Sequence, residues 1–482
     1  MQRTMSFCFC AVPALLLCLM LPTLVGGQEV GGNLLPDGFY ISPTAAPGSI
    51  FQGLPTGLRP DGSADANGAV TTALSPDGTA LLVLTTGYNT GFYTQAADGT
   101  AILWPALYPL TGLPSSTLTP NAEWVFLYDV RGAQPVQKQL INIPNTYHGL
   151  VWDPSGTRFY VAGGIDDRVE VFKSSTTGAS ADGTYAPDAP FVLLNHNQPA
   201  NVPVQQYPTG GLFSTTPINN NPIAQYMFMP FSALAAGLAI SPDGTMLYVA
   251  NYQNDSLSVI NTATRLVTSE IVFFAPGQST AVGEMPYWPV VVSNAQGAPV
   301  KTYVSSQRDG QVLDVSASGS VNVIKVGGEP NRMVLSADQQ RLYVSNGDLD
   351  EIEVINTATD KVSDRISVAR PGYKYKGSSP NSLALSPNGR SLYVTLGGEN
   401  AVAVIDVKSQ QLLGRIPTGW YPSSVTVSAD GNTLYVVNMK SNAGPNLEYR
   451  SDCPGMGIPP QYSQLLCPPP NPTSRNEYIR RC

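Results

Sequence analysis

Charged residues, histidine and cysteine are all scarce in this chain of 482 residues. Only 12% of the residues are charged, two are histidines, and the net charge is −8. So low a charge density disfavours long amphipathic helices, and the acidic balance gives no general attraction to nucleic acid. No cysteine lies between residues 19 and 452, which rules out a thiolate metal site there and disfavours zinc. We therefore predict no metal and no cofactor.

Glycine (45 residues) and proline (42 residues) are, by contrast, abundant. This profile is typical of many short strands joined by turns. The sequence contains no GxSxG motif, no phosphate-binding Gly-Lys-Ser motif and no paired acid and base carboxylates. Without a catalytic constellation, the chain is expected to bind rather than to catalyse, and no catalytic residue is assigned.

Residues 1–27 have the pattern of a secretory signal peptide, with Arg3 ahead of an apolar run and small residues after it. A retained membrane anchor is the alternative, although the apolar run is short for a membrane span. The protein is therefore expected to be exported, to the periplasm or the extracellular space, with no membrane span after cleavage.

Residues 447–482 form a proline-rich tail or linker with too few apolar residues for a core. In an oxidising compartment Cys453 and Cys467 are the natural disulfide pair, and Cys482 is left unpaired. Linkers of this kind usually lead to a further domain.

The body of the chain is a repeat with a basic period near 42 residues and two long insertions early on. Seven related turn sequences mark it, starting at residues 75, 153, 241, 293, 336, 386 and 428. The sixth repeat divides into SLALS (382–386), SLYVT, AVAVID and QLLGRIP, whose period-two alternation indicates four strands. A β repeat of this length is typical of a propeller of four-stranded blades. We predict an all-β, seven-bladed propeller over residues 34–446.

The seventh repeat stops after two strands, and its missing half is predicted at the other end of the chain. Residues 37–57 align without gaps to residues 399–419, and both segments end in Pro-Thr-Gly. The N-terminal strands are thus expected to complete the last blade. Such closure removes the open sheet edges that favour aggregation.

The repeated phrases "LYVAN…SVINTAT" (247–264) and "LYVSN…EVINTATDKV" (343–362) resemble the YVTN-repeat β-propeller family. "SPTAAPGSIFQGL" and "GRIPTGWYPSSVTVSADGNTLYVVNMKSNAGPN" resemble more narrowly the secreted propellers that precede a phosphoesterase domain of the alkaline-phosphatase type. The metal-binding carboxylates, histidines and Ser/Thr nucleophile of that domain have no counterpart here. The resemblance implies a phosphoesterase domain or subunit as a partner and not phosphatase activity in this chain.

The segments that do not repeat are the ones expected to carry function. The loop at 88–122 and the connections at 58–68, 195–234 and 369–380 are predicted to project from one face of the propeller, whereas 174–190 lies on the other. The alternative is that these insertions only cap the ring.

The connections on that face also bring aromatic and polar residues to the mouth of the central channel. This combination suits a pocket for a small molecule or glycan, although the same rings could instead plug the channel. The candidate ligand-binding residues are Tyr147, His148, Tyr287, Trp288, Asn331, Arg332, Asn381, Trp420 and Tyr421.

The segment RPGYKYKG at 370–377 interleaves cations with aromatic rings, as anion-binding loops do. Its candidate residues are Arg370, Tyr373, Lys374, Tyr375 and Lys376. A solvated turn is the alternative, and nucleic acid is an improbable ligand for an acidic protein.

The leading hypothesis for function is an exported binding or scaffold module whose insertion-rich face meets a small molecule, a glycan or a protein. One alternative is a propeller that works with a phosphoesterase. The other is a lactonase-like enzyme with its site at the channel mouth.

Overall fold

The structure is a computed structural model that describes the repeat body of the chain and a few short segments outside it. The described residues are 33–34, 40–41, 46–55, 66–86, 93–95, 101–103, 123–196, 233–273 and 282–441, except positions 47, 67, 144, 165, 371 and 373. The predicted signal peptide, the tail and the Cys453–Cys467 pair lie outside these residues. Within them, no helix is long and apolar enough to cross a membrane.

The N-terminal part of the described chain contains two short hairpins and the first complete blade. The first hairpin pairs β1 (Asn33–Leu34) with β2 (Tyr40–Ile41), and the second leaves blade 1 between its second and third strands. The strands of blade 1 and of this second hairpin are, in chain order, β3 (Ala69–Leu74), β4 (Ala80–Thr85), β5 (Tyr93–Gln95), β6 (Ala101–Leu103), β7 (Glu123–Asp129) and β8 (Val136–Ile143).

Blades 2 and 3 follow with the same antiparallel order of consecutive strands. Blade 2 differs in that its outer strand is split into two pieces, which both pair with the third strand. Its strands are β9 (Leu150–Trp152), β10 (Arg158–Ala162), β11 (Arg168–Ser174), β12 (Tyr185–Pro187) and β13 (Val192–Leu193). Blade 3 consists of β14 (Ala235–Ile240), β15 (Met246–Asn251), β16 (Ser256–Asn261) and β17 (Leu266–Val272).

Blades 4 to 6 are regular four-stranded sheets, and a two-stranded seventh sheet ends the described chain. Blade 4 consists of β18 (Pro286–Ser293), β19 (Pro299–Ser306), β20 (Gln311–Ser316) and β21 (Val321–Lys325). Blade 5 consists of β22 (Pro330–Leu335), β23 (Arg341–Asn346), β24 (Glu351–Asn356) and β25 (Lys361–Ser367). Blade 6 consists of β26 (Pro380–Leu385), β27 (Ser391–Leu396), β28 (Ala401–Asp406) and β29 (Gln411–Pro417), and the seventh sheet of β30 (Trp420–Val427) and β31 (Leu434–Ser441).

The repeated turn sequence forms the hairpin between the first two strands of a blade. In blade 6 the Ser386 hydroxyl donates to Asn388 Oδ1 at 2.8 Å and accepts from the amide of Ser391 at 2.9 Å. Gly389 supplies the positive φ of 67° that the turn requires. The same short motif can therefore start every blade, and the prediction of an all-β propeller is confirmed.

The apolar cores lie between neighbouring blades rather than inside one sheet. Between blades 5 and 6, for example, Tyr343 and Ile352 pack with Leu392 and Val394, all buried. Apolar side chains thus cover the inner strands of blades 5 and 6 where these blades meet. This packing requires the small and β-branched residues that fill the repeats.

The seventh sheet meets blade 1 through hydroxyl groups. The hydroxyls of Thr72 and Thr426 are 2.7 Å apart, and the hydroxyl of Ser423 donates to the carbonyl of Ala69 at 2.6 Å. The described residues of 46–54 lie in no strand, although Leu54 and Val437 of β31 pack against the same apolar cluster. Closure of the last blade by N-terminal strands therefore stays a prediction.

A histidine connects blades 2 and 3 outside the channel. Nδ1 of His196 lies 2.7 Å from Asp167 Oδ1, in the turn before β11, and its Nε2 lies 3.0 Å from Glu270 Oε1, in β17. Burial opposes the imidazolium charge, but the hydrogen bonds to the two carboxylates outweigh it and raise the pKa of His196 to about 9. The histidine is therefore charged at neutral pH.

This connection predicts a loss of stability at alkaline pH. Because the pKa of His196 is higher in the folded chain than its ordinary 6.5, its contribution is complete below pH 6.5 and is lost as the pH rises through about 9. The free energy of unfolding should differ between wild type and His196→Gln by about 2 kcal/mol at pH 6, allowing for partial exposure. The difference should shrink towards zero at pH 10. Denaturant unfolding at both pH values measures it, and a difference that does not shrink would contradict the ion pair.

Candidate functional site

The candidate site is a group of aromatic rings at the mouth of the central channel. Tyr147 stacks on His148 with ring centroids 4.2 Å apart and lies 5.8 Å from Tyr252 and 6.5 Å from Tyr287. Trp288 follows Tyr287 at 6.2 Å. Blades 2, 3 and 4 contribute these rings, and four of the five remain partly exposed, the exception being Tyr287. The structure brings Tyr147, His148, Tyr287 and Trp288 close together, and ligand binding by these residues stays a prediction.

A short polar chain runs through this group. Nδ1 of His148 lies 2.5 Å from the Tyr287 hydroxyl, which also interacts with the guanidinium of Arg332. Since an arginine can only donate, the Tyr287 oxygen accepts from it and its own hydrogen is free for His148. This arrangement fixes the proton of a neutral imidazole on Nε2.

Two causes keep His148 neutral. Burial of the ring, and to a lesser degree the charge of Arg332, hold the pKa of His148 well below its ordinary value of 6.5. Burial likewise raises the pKa of Tyr287, so its hydroxyl keeps its proton. The pair is therefore an uncharged donor and acceptor at neutral pH.

Arg332 crosses from blade 5 to three other blades. One terminal nitrogen, Nη2, donates to the carbonyl of Val70 at 2.8 Å and to the hydroxyl of Thr71 at 2.5 Å. The other, Nη1, donates to the hydroxyl of Ser424 at 3.1 Å, and the guanidinium lies 4.3 Å from the centre of the Trp288 ring. Only 6% of Arg332 is exposed. The residue is thus enclosed within the channel.

Two residues of the mouth were missed by the sequence analysis. The Tyr252 hydroxyl donates to Gln307 Oε1 at 2.9 Å, and Gln307 Nε2 donates to Asn331 Oδ1 at 2.6 Å. Both occupy the position after the second strand where the repeats of blades 5 and 6 have Gly347 and Gly397. A bulky residue in place of this glycine was the signal that could have found them.

The asparagines of the predicted set join neighbouring blades. Asn331 donates to the carbonyl of Pro380 at 3.4 Å, and Asn381 donates to that of Pro422 at 3.0 Å. A Cβ at Gly347 or Gly397 would approach these amide nitrogens to 2.9 Å, so a larger residue there would displace the asparagine side chains. A role for the asparagines in ligand binding stays a prediction.

Trp420 and Tyr421 begin the seventh sheet. Tyr421 has a φ of 56°, its amide donates to Asn400 Oδ1 at 3.0 Å, and Lys440 Nζ lies 4.9 Å from its ring centre. Trp420 lies opposite Ser441 in the ladder of the same sheet. Burial and then the nearby charge of Glu329 raise the pKa of Tyr421, as they do for Tyr147. Glu329 therefore lies on the same side of the mouth as both tyrosines.

The predicted anion-binding loop is exposed and makes no described contact with the mouth. Lys374, Tyr375 and Lys376 are exposed, Arg370 is half-buried, and Tyr373 lies outside the described residues. Lys374 Nζ lies 5.5 Å from the ring of Tyr375. Anion binding by this loop stays a prediction. In the described part of the chain, no group of three or more histidine, cysteine or acidic residues could hold a metal ion.

Comparisons with known proteins agree with this architecture. A family model described as "Lactonase, 7-bladed beta-propeller" matches residues 300–448, from blade 4 to the seventh sheet. The seven-bladed beta-propeller protein Rv1057 of Mycobacterium tuberculosis is 31% identical over 139 residues, which is 28% of this chain. This chain is a β-propeller. The match covers 33% of that curated relative, so the relative's properties as a whole do not transfer to the chain.

Solved propeller structures show the same fold over most of the chain. Hydrazine synthase of Kuenenia stuttgartiensis superposes with a TM-score of 0.53 at 17% identity, covering 83% of this chain and 97% of that one. U3-55K superposes with a TM-score of 0.51 at 10% identity, covering 80% and 92%. Identities this low show the propeller fold alone. The narrower resemblance to YVTN propellers that precede a phosphoesterase stays a prediction.

The two histidines of the propeller should titrate far apart. His196 should change charge near pH 9, whereas His148 should stay neutral down to a pH well below 6.5. Imidazole NMR signals followed from pH 4 to 10 would show this, and the signal missing in His196→Gln identifies which of the two belongs to His196.

In Tyr287→Phe the His148 signal should shift and the free energy of unfolding should fall by about 1–3 kcal/mol, because the buried Nδ1 of His148 loses its partner. A His148 that titrates near pH 6.5 would contradict the hydrogen bonds described between His148, Tyr287 and Arg332.

Proposed function

We propose that this protein is a binding module that takes up a small molecule at the mouth of its channel. The observation that carries the proposal is a cluster of five rings, Tyr147, His148, Tyr252, Tyr287 and Trp288. Two of them, Tyr287 and Trp288, contact the buried guanidinium of Arg332. Small-molecule sites are concave, mostly aromatic or apolar, and contain a few convergent polar groups.

The partial exposure of the rings favours a pocket over a plug. Tyr147, His148, Tyr252 and Trp288 all retain exposed surface, whereas two rings between the blades, Tyr303 and Tyr343, have almost none. A ring that serves only packing would be expected to be buried like these. The mouth thus offers aromatic surface to a ligand.

A screen of small molecules by thermal shift tests this function. Ligands should raise the melting temperature of wild type, because anything that binds only the native state stabilises it. The double variant Tyr147→Ala/Tyr252→Ala should bind the same ligands at least about tenfold more weakly, since aromatic anchors carry much of the binding energy. Tyr375→Ala, which changes a tyrosine 63% exposed outside the mouth, is the matched control. Ligands that bind the double variant as tightly as wild type would place the site elsewhere.

Lactone hydrolysis at the same mouth is the second candidate, favoured by the lactonase family match over residues 300–448, which include Arg332. In this function the Tyr287–His148 pair would hold and move the proton. Hydrolysis of a lactone panel should then fall at least about a hundredfold in Tyr287→Phe and stay unchanged in Tyr375→Phe. Hydrolysis no faster than the buffer blank with wild type would remove this candidate.

Export and partnership with a phosphoesterase belong to the same proposal. The support for export is the sequence of residues 1–27, and the support for a phosphoesterase partner is the resemblance of the flanking segments. A binding module outside the cytoplasm would meet solutes that enter the channel directly.

A further inference from the structure

Among the residues that the structure describes, Arg332 has no carboxylate partner, whereas three other arginines of limited exposure do. Its polar partners are the carbonyl of Val70 and the hydroxyls of Thr71, Ser424 and Tyr287, all of them neutral. No carboxylate lies within ion-pair distance of it among the residues that the structure describes.

Three other partly buried arginines are ion-paired. They pair with carboxylates at 2.5–2.8 Å: Arg168 with Glu170, Arg265 with Asp188, and Arg415 with Glu399. Arg332 is the most enclosed of these four arginines, at 6% exposed, and the only one of them without a carboxylate. A buried charge is normally paired, because its desolvation is costly.

Neutral partners satisfy hydrogens without neutralising the charge. A guanidinium has five N–H donors and stays protonated in proteins. The face of Trp288, 4.3 Å away, supplies a cation–π contact that offsets only part of the desolvation. The channel therefore holds a positive charge in a poorly solvated place, which attracts anions strongly.

The long insertion between blades 2 and 3 brings no charge that could compensate Arg332. Residues 197–232 contain no aspartate, glutamate, lysine or arginine. In sequence they lie between His196 and Ala233, and Ala233 comes just ahead of the first strand of blade 3. An oxyanion has to come from another part of the chain or from a ligand.

We propose that Arg332 binds the oxyanion of the channel ligand, a carboxylate or phosphate monoester carried by a small flat ring. This inference rests on the proposed function and names the ligand class for the same site. Both groups bind guanidinium through charge-assisted hydrogen bonds. Because Arg332 already donates to Val70, Thr71 and Ser424, the oxyanion would meet the positive charge and the donor capacity that these partners leave. The stacked rings of Tyr147 and His148 and the face of Trp288 offer surfaces of the right shape for a flat ring. The loop with Lys374 and Lys376 is the rival anion site on this chain.

Three probes that each carry one phenyl ring separate the effect of charge from that of the ring. Benzoate and phenyl phosphate carry the oxyanion, and benzamide is the neutral match. Titration calorimetry with wild type at low salt should give at least about tenfold tighter binding for one of the anions than for benzamide, since one charge-assisted contact is worth that much. The better of the two anions tells a carboxylate site from a phosphate site.

Variants then show which residue causes the preference for an anion over benzamide. Arg332→Gln should abolish the preference for the anion and leave benzamide binding within about twofold, whereas Arg332→Lys should keep much of it. Lys374→Gln with Lys376→Gln is the matched control and should behave as wild type. If Arg332→Gln does not fold, NOE contacts in wild type between the protons of the bound ring and the Trp288 indole locate the anion without substitution.

The outcomes distinguish the two proposals. If none of the three probes nor any screened molecule binds at the mouth, the proposed function fails, and this inference falls with it. Three results would leave the proposed function standing and show that the oxyanion site is wrong. Benzamide could bind as tightly as the anions, or the preference for the anion could survive Arg332→Gln. The preference could also disappear in Lys374→Gln with Lys376→Gln.

Discussion

The buried guanidinium of Arg332 is the interaction on which both the ring and its channel depend. It reaches from the first strand of blade 5 to Val70 and Thr71 of blade 1 and to Ser424 of the seventh sheet, and it lies against Trp288 of blade 4. Thr71 in turn donates to the carbonyl of His148, next to blade 2. Four sheets thus meet around one cation, and Thr71 links blade 2 to them. The cores between blades are apolar and nearly closed, so the centre of the ring is the place where a polar ligand can be recognised.

The architecture could be read from the sequence because its determinants are local. Each turn such as Ser386 to Gly389 fixes its hairpin with hydrogen bonds inside a few residues, and the predicted strands of the sixth repeat match β26 to β29. The division of the outer strand of blade 2 into β12 and β13 was not predicted, because it interrupts the repeat. The alignment of residues 37–57 with 399–419 predicts further strands beside β31, and this closure stays a prediction.

The site could be predicted only in part, because some of its contacts join residues that are far apart in the sequence. Tyr147, His148, Tyr287 and Trp288 were found because they precede or begin the first strand of a blade, and the propeller places all such positions at the mouth. The reach of Arg332 to residues about 260 positions earlier and 92 positions later in the chain depends on ring geometry alone. Tyr252 was missed because it occupies a turn position that is glycine in other repeats. Exceptions to the repeat are therefore as informative as the repeat itself.

An anomalous difference map of crystals soaked in bromide tests the central claim most directly, since bromide is an anion that can be located without knowledge of the ligand. The account predicts an anomalous peak within hydrogen-bonding reach of the Arg332 guanidinium, beside Trp288, and no carboxylate of the chain at that place. A channel free of bromide at saturating concentration would contradict it, as would an aspartate or glutamate of this chain paired with Arg332.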